Sequence, residues 1–179
     1  MRRTARLAAA PNPATTTAPS PARHGCGDRS ASRLWTLAEI ETVARRAHAG
    51  HTDRTGQPYA EHIAAVAEGV RARGGTAEQI AAGWLHDTVE HHRRPPEWLR
   101  SAPLPQSVKD MVTALTRGED EDLESYVGRI HETPGARLVK EADLASNTDP
   151  ERLAALDAPT RDRLTEKYTR TRTLLGRSR

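Results

Sequence analysis

The chain has 179 residues, a net charge of +3 and 36% hydrophobic residues, with no phenylalanine among them. Its single cysteine, Cys26, excludes an internal disulfide and a cysteine-rich zinc site. No apolar run reaches the length of about 20 residues that a transmembrane helix requires. The excess of Arg and Lys is not gathered into the basic stripe typical of nucleic-acid binding. We therefore expect a cytoplasmic protein whose partners include neither a nucleic acid nor a membrane.

The two parts of the chain differ in composition. Residues 1–33 are rich in Ala, Pro, Thr, Ser and Arg and show no apolar periodicity. Such a segment cannot bury enough apolar surface to offset the entropy lost on ordering, so we predict a disordered tail, with a mis-assigned start codon as the alternative explanation. In residues 34–179 apolar residues recur at helical spacing, and no stretch alternates long enough to indicate a strand. We predict that residues 34–179 form one all-α domain.

The first two predicted helices are separated by a polar loop. Thr36 and Glu39 fit a capping box, and apolar residues at helical spacing then carry the first helix to about residues 48–50. Residues 51–58 combine Gly and Pro with polar side chains, which indicates an ordered loop. The second helix starts after this loop, and we expect it to stop at the glycine pair 74–75.

The third predicted helix carries adjacent polar residues that are unusual for its apolar surroundings. Residues 84–91 read WLHDTVEH, so Asp87 follows His86 directly and Glu90 lies one helical turn after His86. The apolar neighbours indicate that these groups face the interior, where they must be paired or bound to a cation. We expect this helix to end before Pro95. Further helices are predicted over residues 106–116, 122–132, 136–147 and 160–175, with a short helical turn after residue 149.

Metal-binding residue types lie near the apolar faces of three predicted helices, and they are His62, His86, Asp87 and Asp143. Two imidazoles and two carboxylates suit a borderline-to-hard divalent ion such as Mn²⁺, Fe²⁺ or Zn²⁺. Such an ion lowers the pKa of a bound water and neutralises phosphate charge, so this set predicts the hydrolysis of a phosphate ester. Glu90 is placed to hold or deprotonate that water.

The order of these residues, H…HD…D, resembles the pattern of the HD superfamily of metal-dependent phosphohydrolases. The likeness extends to its stringent-response branch, which includes hydrolases of guanosine tetraphosphate (ppGpp). Residues 47–50 (AHAG) and 56–62 (GQPYAEH) resemble the opening motifs of that branch. Residues 84–90 (WLHDTVE) and 138–147 (LVKEADLASN) resemble its motifs LLHDxxED and VKLADxxxN.

The resemblance implies a role for each candidate residue. It implies Mn²⁺ as the metal, with the ligands His62, His86, Asp87 and Asp143. It implies that Glu90 acts on the attacking water, and His91 stands where the branch has a second acid, so that its imidazole would relay a proton. It further implies that Asn147 contacts a small-molecule nucleotide. Arg54 and Lys140 are candidates for neutralising its phosphates.

The chain departs from the branch at two positions of the expected site. His91 cannot supply the negative charge of the second acid. Asp53 stands where the ppGpp enzymes have a basic residue against the guanine, and we expect a carboxylate to repel phosphate and to lack the cation–π contact. The leading hypothesis is a ppGpp-like 3′-pyrophosphohydrolase. The alternatives are a nucleotidase or other small phosphate-ester hydrolase, and a nucleotide-binding protein that has lost catalysis. The sequence indicates no oligomeric state.

Overall fold

The computed structural model describes residues 33–89 and 94–177, and in these residues it contains nine α-helices and no strand. In chain order they are α1 (Leu37–Ala47), α2 (Tyr59–Ala72), α3 (Ala77–Leu85), α4 (Pro96–Ser101), α5 (Gln106–Leu115), α6 (Leu123–Glu132), α7 (Ala136–Asn147), α8 (Pro150–Ala154) and α9 (Ala158–Leu175). The all-α prediction is confirmed. Within the same residues, no helix combines the length and apolarity needed to cross a bilayer. The predicted tail lies outside them except for Arg33, and its disorder stays a prediction.

Most helices begin where a capping side chain predicts. Thr36 Oγ1 accepts a hydrogen bond from the Glu39 N–H, and the Glu39 carboxylate accepts one from the Thr36 N–H at 2.8 Å. Thr76 and Gln79 form the same reciprocal pair at the start of α3. The caps of three later helices, α6, α8 and α9, are Asp122, Asp149 and Asp157. These side chains bond N–H groups that the first helical turn leaves open, so each cap lies within one turn of the helix start that it stabilises.

The predicted extent of the third helix is wrong, because α3 ends at Leu85 and residues 86–89 form a turn. Thr88 N–H donates to the Leu85 carbonyl at 2.9 Å, a bond of the tighter type that closes a helix. The prediction that Glu90 lies one helical turn after His86 assumed a continuous α-helix, and residues 86–89 do not form one. Glu90 and His91 themselves lie outside the described residues.

Two further differences concern helix starts. Helix α4 is absent from the sequence prediction, and it begins at Pro96, where the fixed φ of proline suits the first helical position. The last helix, which is predicted from residue 160, begins at Ala158 because Asp157 caps α9. Both starts follow from local backbone chemistry rather than from apolar periodicity.

Helix α2 packs between α3 and α7 and brings the residues of interest together. The predicted apolar face of α2 is fully buried and consists of Ile63, Val66, Ala67 and Val70. Gly83 of α3 lies so close to α2 that a Cβ there would be 3.1 Å from the Ala67 Cα. This close approach sets the end of α3 beside the first turns of α2, and α7 closes the third side.

Candidate metal centre

His62, His86 and Asp143 converge from α2, the turn after α3, and α7, and one ligand atom from each lies within 4.8 Å of the others. Asp143 Oδ1 is 3.4 Å from His62 Nε2 and 3.7 Å from His86 Nε2. Asp87 lies outside this three-residue group, but its Oδ2 is 3.1 Å from His86 Nε2 and 3.8 Å from His62 Nε2. The fold therefore brings all four predicted ligands together.

The arrangement of these atoms fits one divalent ion. Nitrogen and oxygen ligands lie about 2.0–2.2 Å from an ion such as Zn²⁺, so neighbouring ligands are about 2.8–3.6 Å apart. Two of the four separations, 3.1 and 3.4 Å, lie within this range, and the other two, 3.7 and 3.8 Å, lie just above it. In addition, His86 Nε2 is buried and makes no hydrogen bond within the described residues, and its neighbour there is the Asp87 carboxylate at 3.1 Å. The donor types, their spacing and this unbonded nitrogen all match a cation site.

The second nitrogen of each imidazole is held by a neighbour. His86 Nδ1 donates to the Gly83 carbonyl at 2.8 Å, and His62 Nδ1 lies 3.0 Å from Ser146 Oγ. A carbonyl only accepts, so in neutral His86 the lone pair is on Nε2 and faces the carboxylates. Burial opposes protonation of the His86 ring, but the charges of Asp87 and Asp143 outweigh this effect and raise the pKa of His86 to about 9. The two carboxylates thus favour a positive charge at this position.

Both carboxylates are oriented by hydrogen bonds. Lys140 Nζ donates to Asp143 Oδ2 at 2.8 Å, and Asn147 Nδ2 donates to Asp143 Oδ1 at 2.6 Å. Burial acts to raise the pKa of Asp143, but the charge of Lys140 and a hydrogen bond with His62 outweigh this effect and lower the pKa. Asp87 is held from a different helix, because the Tyr59 hydroxyl donates to its Oδ2.

Tyr59 and Ser146 belong to the site but are absent from the sequence prediction. The ring of Tyr59 stacks on His48, with centroids 5.0 Å apart, and meets His62 edge to face at 5.3 Å. Tyr59 precedes His62 by three residues, and Ser146 follows Asp143 by three. The rule that helical neighbours three apart share a face was therefore a signal that points to both.

A cleft of about 430 Å³ opens beside the cluster and is lined by Asp87 and Asp143. Its cationic lining residues, among those described, are Arg54, Arg117, Lys140, Arg152 and Lys167. Leu156, Leu164 and Tyr168 add apolar and aromatic surface. The three predicted substrate-binding residues, Arg54, Lys140 and Asn147, all line this cleft. A cleft with this lining has groups for both the phosphates and the organic part of a nucleotide.

Asp53 lines the same cleft, but its charge is compensated. Its Oδ1 accepts hydrogen bonds from the N–H and hydroxyl of Thr55, at 2.8 and 2.6 Å, and from the N–H of Gln57. Its Oδ2 lies 3.0 Å from Arg152 Nη2. Burial acts to raise the pKa of Asp53, and these partners nevertheless lower it. The repulsion of phosphate expected from the sequence is therefore offset by Arg152, whose proximity no sequence pattern indicates.

Comparison with protein-family models matches residues 42–149 to the HD domain. A search of curated proteins finds no match. HD domains bind divalent metals and are generally metal-dependent hydrolases. The match covers more than half of the chain, and it includes all four residues whose ligand atoms converge beside the cleft. By this match the chain belongs to the HD-domain family.

Proposed function

We propose that this HD domain is a metal-dependent phosphohydrolase that removes the 3′-pyrophosphate of a guanosine polyphosphate such as ppGpp. The observation that carries the proposal is the convergence of two imidazoles and two carboxylates on the wall of a cationic cleft. The family match supports a metal-dependent hydrolase. The nucleotide class is supported by the four motifs that resemble the stringent-response branch.

In this proposal the metal ligands are His62, His86, Asp87 and Asp143, and the ion is Mn²⁺ or another divalent metal such as Fe²⁺ or Zn²⁺. When bound, the ion lowers the pKa of a water and neutralises phosphate charge. Gly83 and Ser146 hold the two imidazoles so that each Nε2 faces the carboxylates. Lys140 and Asn147 hold Asp143 in place.

The remaining proposed roles concern the substrate and the proton. Arg54 and Lys140 neutralise the phosphates of the nucleotide substrate, and Asn147 contacts the same nucleotide. Water adds to the phosphorus next to the ribose, the bond from phosphorus to the ribose oxygen breaks, and that oxygen takes up a proton as pyrophosphate leaves. Glu90 accepts the proton of the attacking water and His91 relays it. These two roles rest on the sequence, because both residues lie outside the described part of the chain.

The test is incubation of the full chain with Mn²⁺ and a panel of nucleotides that includes ppGpp. The variant Asp87→Ala removes a proposed ligand, and Asp110→Ala removes an exposed carboxylate of α5 as a matched control. We expect pyrophosphate from ppGpp with the wild type and with Asp110→Ala, and none with Asp87→Ala.

Other results identify the alternatives. Release of phosphate from other nucleotides, without action on ppGpp, would indicate a nucleotidase or another small phosphate-ester hydrolase. Binding of metal and nucleotide without turnover would indicate a nucleotide-binding protein that has lost catalysis. Absence of bound metal in the wild type would contradict the ligand assignment itself.

A further inference from the structure

Asp53 and Arg152 form an ion pair in the cleft that the proposed hydrolysis does not use. Asp53 belongs to the loop before α2, and Arg152 belongs to α8. We infer that Arg152, anchored by Asp53, is a subsite for a phosphate group of the substrate other than the one that reacts. This inference rests on the proposed function and deepens it, because it identifies a residue that determines which nucleotides are bound.

Asp53 is a rigid anchor. Its side chain is only 4% exposed, and both of its oxygens have partners. The loop around it is closed by a bridge between Thr52 and Pro58 and by a 2.8 Å hydrogen bond from the Asp53 N–H to the Gln57 carbonyl. These hydrogen bonds hold the carboxylate to the loop, and the same carboxylate is the ionic partner of the Arg152 guanidinium.

Arg152 retains the capacity to bind an anion. A guanidinium has five N–H donors, and in the described residues the only hydrogen-bonding or ionic partner of these donors is Asp53. The Arg152 side chain is 27% exposed and lines the cleft, so the other donors are accessible from it. The guanidinium contacts Asp53 through Nη2 alone, which leaves further N–H donors for bidentate binding of a phosphate.

The surrounding charges favour the same ligand. Arg54, next to Asp53 in the loop, and Lys167 of α9 line the same cleft, so cations outnumber the carboxylate in this group. Lys140, in contrast, is bonded to Asp143 of the proposed metal site. The Asp53–Arg152 pair makes no hydrogen bond or ion pair with the proposed metal ligands in the described residues. We assign this subsite to a phosphate other than the one that reacts, such as the 5′-diphosphate of ppGpp.

The experiment compares ppGpp with guanosine 3′-pyrophosphate, which has no 5′ phosphates. Dissociation constants are measured for the full chain in EDTA, where hydrolysis stops, and KM and kcat for the Mn²⁺-loaded full chain. We expect Arg152→Gln to weaken the binding of ppGpp roughly tenfold, with the ligand lacking 5′ phosphates little affected. We also expect KM for ppGpp to rise while kcat is retained, and Arg152→Lys to restore part of the affinity.

Two further variants separate anchoring from other effects. On charge alone, Asp53→Asn would tighten the binding of ppGpp, whereas loss of the anchor predicts weaker binding. Arg170→Gln is the matched control, because Arg170 pairs with Glu124 across two helices and does not line the cleft. We expect it to leave both dissociation constants unchanged, and thermal unfolding establishes that each variant is folded.

The possible results test the Arg152 subsite, the anchoring role of Asp53 and the proposed hydrolysis. Equal weakening of both ligands by Arg152→Gln, or no weakening, overturns the subsite, and so does wild-type protein that fails to bind ppGpp. Tighter binding by Asp53→Asn overturns the anchoring role. If the wild type binds ppGpp but releases no pyrophosphate, the proposed hydrolysis fails, while the ratio of dissociation constants still decides the subsite.

Discussion

Asp87 differs from Asp143 in what holds it. Asp143 lies within α7 and receives hydrogen bonds from Lys140 and Asn147 of the same helix. Asp87 lies in the turn that follows α3, and it accepts a hydrogen bond from the hydroxyl of Tyr59 at the start of α2. Helical neighbours therefore hold the Asp143 carboxylate, whereas a phenol from another element bonds the Asp87 carboxylate. We therefore regard Tyr59 as a positioning residue for the proposed metal site.

We expect Tyr59→Phe to weaken Mn²⁺ binding by about 10-fold or more, because loss of the group that orients a ligand typically costs 10–100-fold in metal affinity. The measurement is a Mn²⁺ titration followed by electron paramagnetic resonance. Tyr126→Phe is the control, since it removes a buried hydroxyl that donates to the Leu115 carbonyl. Equal Mn²⁺ affinity in wild type and Tyr59→Phe would show that the phenol only contributes to packing.

At the scale of elements, side-chain charges stabilise the helix starts as well as the site. The Glu39 carboxylate of the α1 capping box also binds Arg33, at 2.6 Å. The hydrogen bond from Arg33, with further bonds from Thr36, lowers the pKa of Glu39 to about 2. A carboxyl group whose pKa is lower in the folded state stabilises that state at pH values above its pKa in the unfolded state. This contribution is lost as the pH falls towards the pKa in the folded state.

We expect the difference in unfolding free energy between wild type and Glu39→Gln to be largest near pH 7 and to shrink between about pH 4.5 and pH 2. Urea unfolding at a series of pH values measures it. Arg33→Gln removes the largest cause of the pKa shift, so in that background most of the pH dependence should disappear. A difference that stays constant down to pH 2 would contradict the coupling.

At the scale of the whole molecule, folding brings the carboxylates of Asp87 and Asp143 to the two buried imidazoles of His62 and His86. The close packing of α2 against α3 at Gly83 leaves little freedom to separate these groups. A cation placed between them offsets the cost of burying like charges together, and it binds the folded chain but has no such site in the unfolded chain. Metal binding should therefore stabilise the entire domain.

We expect Mn²⁺ at about 100 times its Kd to stabilise the fold by about 2.7 kcal/mol and to raise the Tm by roughly 5–10 °C relative to protein in EDTA. Differential scanning calorimetry with and without the metal measures the shift. The shift should vanish in His62→Ala and persist in His131→Ala, which removes a histidine of α6 outside the cluster. A shift retained in His62→Ala would place the ion elsewhere.

The features that could be predicted from the sequence depend on residues that are close together along the chain. Capping residues such as Thr36 and Thr76 located helix starts, and helical spacing identified the buried face of α2, because both depend on residues within one or two turns. Motif order identified the candidate ligands His62 and Asp143 before their positions were known.

The tertiary structure alone decided the contacts between distant segments. The hydrogen bond between Tyr59 and Asp87 and the ion pair between Asp53 and Arg152 join residues with no spacing rule to relate them. The end of α3 at Leu85 was also missed, since no glycine or proline follows Leu85 before Pro95 to mark it. Such features depend on how helices pack, and packing distances are not encoded in the local patterns from which helices are predicted.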